Sequence, residues 1–431
     1  MTSRRSRPRV VVAGGGIGGL STALALHDAG CEVTVFEAAA EIRPLGVGIN
    51  VLPHAMSVLD RYGLVGPLAA QGVATSELRF VNRHGQLIWR EPRGAAAGYP
   101  VPQVSVHRGV LQLTLLAAVV DRLGADAVRT GLTLRAVATV DGGPGRRVEA
   151  RFVERGGDGS TGEEVVEHGD VLVAADGIHS TVRGALHPDE GPPLWNGQLL
   201  WRAISRATPY LDGTTMVMAG SNRTKFVAYP ITGPDDDGLC TVNWIAELNR
   251  SGSPAPARED WNRRGDVDEF GPWFADWSWG WLDVPALISG AEAVFEFPMV
   301  DRDPLERWVH GRVVLLGDAA HPMYPVGSNG ASQAILDSRA LADAVAAEAD
   351  VDAALARYEA ERLPVTAQIV AANRRGGPEQ VLDLAEHRAP DGFVDIGEVF
   401  APGELESIAA RYKQVAGFTV AKVAGTGSSR T

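Results

Sequence analysis

Apolar residues fill positions 8–13 except for Arg9 and stop at a run of glycines, positions 17–29 carry them at helical spacing, and positions 32–36 are, after Glu32, apolar or β-branched. That succession predicts strand, glycine turn, helix, strand, the order of a parallel βαβ unit. Helical periodicity returns at 53–62 and 110–123, and strand-like runs at 148–153 and 171–175 are separated by a Gly-rich, charged hairpin tip at 155–162. Between 199 and 247 the pattern changes to short strands broken at Asp212-Gly213, Gly220-Ser221-Asn222 and 233–238, which predicts a mostly antiparallel sheet. The aromatic-rich stretch 258–283 predicts helix in pieces, 294–298 a returning strand, 313–316 a buried strand, and 332–348 and 352–374 two long helices. Beyond Gly376 one helix is expected at 403–415, followed by a Gly/Ser/Thr end of the composition that stays disordered.

The fold class that follows is α/β in two lobes. A Rossmann-like nucleotide-binding domain is expected over 1–75, 105–190 and 295–375, an inserted and mostly antiparallel sheet domain for the substrate over 76–104 and 191–294, and a helical tail over 376–431. A length of 431 residues exceeds what one core usually fills, in keeping with two lobes. With 53 acidic against 40 basic side chains the formal charge is -13, which argues against nucleic acid or an anionic membrane as partner and leaves a small molecule. Cys31 and Cys240 lie in apolar runs outside any CxxC or Cys/His cluster, so no metal site is expected and both read as buried thiols of a reducing compartment. The basic start (Arg4, Arg5, Arg7, Arg9) leads straight into a strand instead of a signal peptide, and no apolar run reaches spanning length. A cytoplasmic, soluble monomer or homodimer is expected.

Chemistry concentrates in three segments. In Gly14-Gly15-Gly16-Ile17-Gly18-Gly19 a GxGxxG follows a strand and opens a helix, where a Cβ would block the tight turn, the approach of a pyrophosphate, or helix–strand packing. Glu37, followed by Ala38, ends the next strand at the spacing where an acid accepts hydrogen bonds from a ribose diol, favouring a nucleotide without a 2'-phosphate. The second segment, DVLVAADGIHSTVR over 170–183, reads by itself as an Asp-Gly turn capping a helix. In the third, GRVVLLGDAAHPMYPVGSNGASQAILDS over 311–338, a buried strand ends at Gly317-Asp318, and a loop with Pro325, Gly327, Ser328, Asn329 and Gly330 feeds the N-terminus of a long helix. Such a terminus stabilises negative charge, and the Asp318 carboxylate can accept from the ribityl chain of a flavin.

Together these strings resemble the class A flavoprotein monooxygenases, the fold group of para-hydroxybenzoate hydroxylase, over about residues 8–375. EIRPLGVGIN (41–50), SVHRG (105–109), FADWSWGWLDV (274–284), PMVDRDPL (298–305) and YPVGSNGASQAILD (324–337) are similar to the phenazine hydroxylases of that family. The resemblance implies FAD, with Asp176-Gly177 beneath the cofactor, Ser180 and Arg183 opening a helix there with Arg183 in contact with the cofactor, Arg108 at its phosphate and ribose, and Arg43 with 46–49, including Gly48 and Ile49, near the ring. It implies NADH or NADPH as cosubstrate, O2 addition at flavin C4a, and transfer of the distal oxygen of the hydroperoxide to an electron-rich aromatic or N-heterocyclic acid, with or without decarboxylation, in secondary metabolism. The cofactor supplies the hard step, so no indispensable acid/base pair is expected. No second glycine fingerprint for a nicotinamide domain is found.

Trp201, Arg202, Tyr229 and Trp244 on the central strands, with Met323, Tyr324 and Pro325 in the loop, are candidates for a pocket around a planar ring; plain core packing is the alternative for each. Arg202 needs an anionic partner, either a substrate carboxylate or an internal acid. His321 reads as scaffold beside the ribityl chain on the family pattern, and Trp273, Trp277, Trp279 and Trp281 as packing of a lobe edge. The Trp-Ser-Trp-Gly-Trp-Leu stretch resembles a flavin-halogenase signature without matching it, and no lysine precedes Lys225 to carry halogen. An epoxidase, oxidase or reductase on the same fold, and a non-enzymatic nucleotide-binding escort protein, are the rival readings.

Overall fold

The computed structural model describes residues 8–142, 145–155, 161–253 and 263–427. The basic start, most of the hairpin tip at 155–162, the beginning of the 258–283 stretch and the last four residues lie outside the described residues.

Strand β1 (Arg9–Ala13) enters helix α1 (Ile17–Asp28) through the glycine turn, and β2 (Glu32–Phe36) follows. Next come β3 (Gly48–Val51), α2 (Arg108–Leu123) and β4 (Val171–Ala174). The central strands are β5 (Leu194–Ala207), β6 (Thr224–Pro230) and β7 (Cys240–Asn249), succeeded by β8 (Val313–Leu315), α3 (Gly330–Ala347), α4 (Val351–Arg374) and α5 (Glu404–Ala416).

The first lobe is built on a six-stranded sheet in the order Val309–His310, β8, β4, β1, β2, Val128–Arg129. Its four central strands are parallel and almost wholly buried, as continuous Val/Leu/Ala runs require when helices or other layers cover both faces. Register sets Ala13 beside Ala174 and Ala174 beside Leu315, so β1, β4 and β8 end level with one another. A meander of Leu132–Gly142, Gly145–Arg155 and Thr161–Gly169 packs on this sheet, with Phe152 stacked on Phe36 at 4.2 Å between ring centroids.

The second lobe is a seven-stranded sheet in the order Phe295–Asp301, β5, β7, β6, Thr215–Gly220, Glu77–Val81, Leu87–Pro92. It is antiparallel except where Thr215–Gly220 runs parallel to Glu77–Val81. Strand alternation gives it two unlike faces. The outer face carries Trp201, Ala203, Phe226 and Trp244 into a core with Phe270, Phe274 and Trp277. The inner face carries Leu200, Met216, Tyr229 and Ile245 toward Tyr324 and Val326 of the loop before α3. Between the lobes β3 pairs with Gln103–His107, a short sheet that the sequence pattern did not announce. The tail holds Gln380–Arg388 and Val420–Gly427 besides α5, two short helices beyond the one expected. Among the described residues no helix is long and apolar enough to cross a membrane, and no group of metal-binding side chains gathers.

Candidate active site

Because β1, β4 and β8 are neighbours in one parallel sheet, the three chemical segments leave the same sheet edge side by side. The carboxyl ends of parallel strands are where open α/β sheets bind ligands. At the first, Gly14 takes a φ of +107°, and a Cβ there would sit 2.3 Å from the Ala175 carbonyl oxygen. Gly16 has the opposite surroundings, with nothing within 4 Å of where its Cβ would be, so open space lies at the start of α1. Gly18 lets α1 approach Leu316 and Ala334, tying the first segment to the third. Glu37 accepts from Gly15 N and Ala39 N, both at 2.7 Å, through different oxygens, and each oxygen keeps a lone pair.

At the second segment Asp176 accepts from Thr181 N at 2.8 Å, and Ser180 caps the following turn by accepting from Arg183 N at 2.9 Å. The other Asp176 oxygen, Oδ1, is buried without a hydrogen-bond partner among the described residues. Burial pushes the Asp176 carboxyl above its ordinary range despite those bonds.

At the third, Asp318 is open to solvent, as is Arg108 at the start of α2. Both are nonetheless ringed by protein: desolvation pushes the Arg108 guanidinium down and the Asp318 carboxyl up, and each opposes the other's shift by attraction across the gap. Groups reached by solvent yet desolvated by their neighbours stand in a recess of the surface. Beneath it Asp337, fully buried, accepts from Gly317 N at 3.2 Å, His321 Nε2 at 2.5 Å and Arg362 Nε at 2.7 Å. His321 is thus held by Asp337 through Nε2, while its Nδ1 is buried without a partner among the described residues.

The inner face of the large sheet closes the recess opposite. Arg202 donates from Nη2 to Gly48 O at 3.2 Å, and Asn243 accepts from Gly48 N at 2.7 Å, so two side chains of the sheet clamp the first peptide of β3. A Cβ on Gly48 would lie 2.6 Å from Asn243 Cβ. Asn243 went unnoticed in the sequence, although a lone amide inside the apolar run VNWIA was a signal. An internal acid that feels Arg202 is Glu247, opposite Leu200 on the neighbouring strand, but Glu247 is bound to Lys225 at 2.8 Å. Arg202 Nε is left buried without an acceptor among the described residues. Burial pushes the Tyr229 phenol up to about 12 even though Arg202 opposes this, so Tyr229 stands neutral beside the guanidinium.

Tyr324 is buried near this face, Met323 half-buried, and Pro325 exposed at the loop's turn; Ile49 and Ala38 are half-buried, while Arg43 pairs with Glu41 at 2.8 Å on an exposed loop. Three expectations need correction. Trp201 and Trp244 do not face the recess: both are fully buried in the outer core, Trp201 stacked on Phe270 and Trp244 bonded to Ser205 Oγ at 2.9 Å. The one-residue step from Trp201 to Arg202 decides the face. Arg183 has no donor left for a cofactor. Its five N–H groups go to both oxygens of Glu190, to Ala319 O and Ala320 O at 3.1 and 2.8 Å, and to Asp303 O at 3.1 Å. It staples the second segment to the third.

A FAD molecule fits these residues: the space over Gly16, the Asp176 Oδ1 without a partner among the described residues, and Asp318 lie along one edge of one sheet, and Arg108 interacts with Asp318 from the start of α2. Comparison with known proteins agrees. The FAD binding domain family model matches residues 7–196 and 296–373. The chain is 50% identical over 368 residues to phenazine 1,6-dicarboxylic acid hydroxylase of Lysobacter antibioticus, covering 85% of this chain and 89% of that one. It is 35% identical to a 3-amino-4-hydroxybenzoate 2-monooxygenase of Streptomyces platensis, covering 86% and 88%. An HpxO variant of Klebsiella pneumoniae, solved with FAD, shares the fold at a TM-score of 0.69 and 23% identity, covering 97% of each chain. Matches of this extent, joined to three glycine-marked strand ends on one sheet edge, establish that the chain belongs to the FAD-dependent aromatic-ring monooxygenases.

Proposed function

We propose that the protein hydroxylates a planar N-heterocyclic acid of the phenazine carboxylate class, drawing electrons from NADH or NADPH and oxygen from O2. The observation that carries the reading is Arg202, a guanidinium on the inner face of the sheet among Leu200, Ile204, Tyr229 and Ile245, with a buried Nε that has no acceptor among the described residues. A substrate carboxylate supplies that acceptor, and a charge-assisted bond at such a site sets orientation as well as affinity. The identity to a phenazine dicarboxylic acid hydroxylase supports the ring class.

FAD would be held by the glycine turn and α1 at its pyrophosphate, by Glu37 at a ribose, by Arg108 and Asp318 along the middle, and by the start of α3 at the ring. When bound it supplies two-electron chemistry, taking up a hydride and passing the electrons to O2 so that one oxygen atom enters the ring and the other leaves as water. The chain's own tasks are then positional. The N-terminus of α3, with unpaired N–H groups at Gly330 and beyond, stabilises negative charge. Tyr229 and Arg202 present donors to the acid edge, while Leu200, Ile204, Met216 and Ile245 exclude water from the reacting carbon. The two buried free cysteines support a reducing, cytoplasmic setting.

Purified protein incubated with NADH or NADPH and a panel of phenazine carboxylates, simple aromatic acids and aminophenols tests this reading. Substrate-stimulated nicotinamide oxidation with one oxygen atom from labelled O2 in the product is expected for the phenazine acids. Release of CO2 with the same incorporation would identify the decarboxylating variant. Oxidation that no phenazine acid stimulates would remove the proposal.

A further inference from the structure

The FAD-binding match ends at residue 373, yet helix α5, more than thirty residues later, reaches the loop that precedes α3. Tyr412 carries the contact. Its hydroxyl accepts from Asn329 Nδ2 at 2.8 Å, and its single hydrogen goes to Asn373 Oδ1 at 2.9 Å or Val326 O at 3.1 Å. Asn373 in turn donates to Tyr324 O at 3.1 Å, so one buried phenol fastens both ends of the loop 324–329 to the close of α4. One helical turn further on, Ala416 O accepts from Gln333 Nε2 at 3.1 Å in the first turn of α3.

The loop needs fastening. Gly327 and Ser328 both adopt left-handed backbone, at φ +69° and +57°, and serine in that region persists only where its surroundings impose it. A Cβ on Gly327 would sit 2.3 Å from the Tyr412 hydroxyl, so the glycine and the phenol are fitted to each other.

We propose that Tyr412 is a positioning residue for the flavin: by holding Asn329 and Val326 it keeps Gly327 and Ser328 left-handed, and so keeps the first N–H groups of α3 aimed at the ring. The proposal rests on the reading that α3 begins at the flavin. It assigns the C-terminal segment a direct part in the cofactor site.

The test uses full-length holoenzyme. Tyr412→Phe keeps the ring and its packing but leaves one amide hydrogen of Asn329 without an acceptor. FAD binding should weaken roughly tenfold, the size expected when one buried donor loses its partner. The visible flavin band should shift and the midpoint potential fall, because the reduced ring loses aligned donors. Lys413→Ala, which breaks the neighbouring ion pair to Glu91 at 2.6 Å, should lower Tm while leaving band and potential in place. Adding Ser328→Gly to Tyr412→Phe should recover part of the lost affinity, since glycine holds the left-handed conformation without steric cost while the Asn329 hydrogen stays unpaired. Unchanged affinity, band and potential in Tyr412→Phe would overturn the proposal, as would an equal shift in Lys413→Ala or no recovery in the double variant. If the unmodified chain takes up no FAD, the reading of the whole site fails; if only these variants behave otherwise, Tyr412 alone loses its role.

Discussion

Replacing Asp337 by asparagine changes almost no volume and removes the one negative charge in the cluster beneath Gly317. Burial alone would raise this carboxyl, but His321 and Arg362 outweigh it and hold the pKa at about 2 against an ordinary 3.8. That difference corresponds to about 2 kcal/mol of stability at neutral pH. The folded value is the depressed one, so the contribution is complete above about pH 4 and fades as pH falls toward 2; about half should remain at pH 3. Asparagine also has one carbonyl oxygen for three donors, Gly317 N, His321 Nε2 and Arg362 Nε, and leaves the Arg362 charge uncompensated. Breaking a buried pair in this way costs about 3–5 kcal/mol. Urea unfolding followed by tryptophan fluorescence at pH 7, 5, 4 and 3 measures both effects. Asp337→Asn should lose about 3–5 kcal/mol at pH 7, and its deficit should narrow by about 1 kcal/mol by pH 3. A deficit constant with pH, or below about 1 kcal/mol throughout, would refute the electrostatic account of this cluster.

Gly16→Val should abolish FAD binding while leaving the apoprotein's Tm nearly unchanged. Its φ of -74° and ψ of -176° suit any residue, and the side chain would enter only the space reserved for pyrophosphate, as titration of apoprotein with FAD would show. Arg202→Met should raise KM for a carboxylated substrate about 10- to 100-fold, the worth of one charge-assisted bond; steady-state kinetics should show little change for the corresponding carboxamide. Trp244→Phe should do the reverse, lowering stability by about 1–3 kcal/mol through lost indole packing and its Ser205 bond while KM stays put.

Much of the nucleotide-binding lobe was legible because its signals are local. Glycines at a strand-to-helix turn and continuous Val/Leu runs for buried parallel strands need no knowledge of distant partners. The bounds of β2 coincide with the run 32–36, and α1 differs from 17–29 by one residue. What stayed hidden depends on pairing across the chain. The face of a strand is set by register, which the sequence does not state, and so Trp201 and Trp244 were grouped with Arg202 though they point the other way. Arg183 looked like a cofactor contact because its acceptors at 303, 319 and 320 are distant in sequence. The short strands at 48–51 and 103–107 escaped for want of length, and the clamp on Gly48 could not be foreseen without the 195-residue separation of its Asn243 bond being closed.

The central claim is that the strand ends at 13, 174 and 315 gather around one FAD. An experimental structure of the protein with FAD, refined well enough to place the ring, tests it directly. The account predicts pyrophosphate over Gly16, the ribityl chain beside Asp318, and the pyrimidine edge at the start of α3 facing Arg202 and Tyr229. A flavin bound elsewhere, or oriented with its ring away from the inner face of the large sheet, would contradict it.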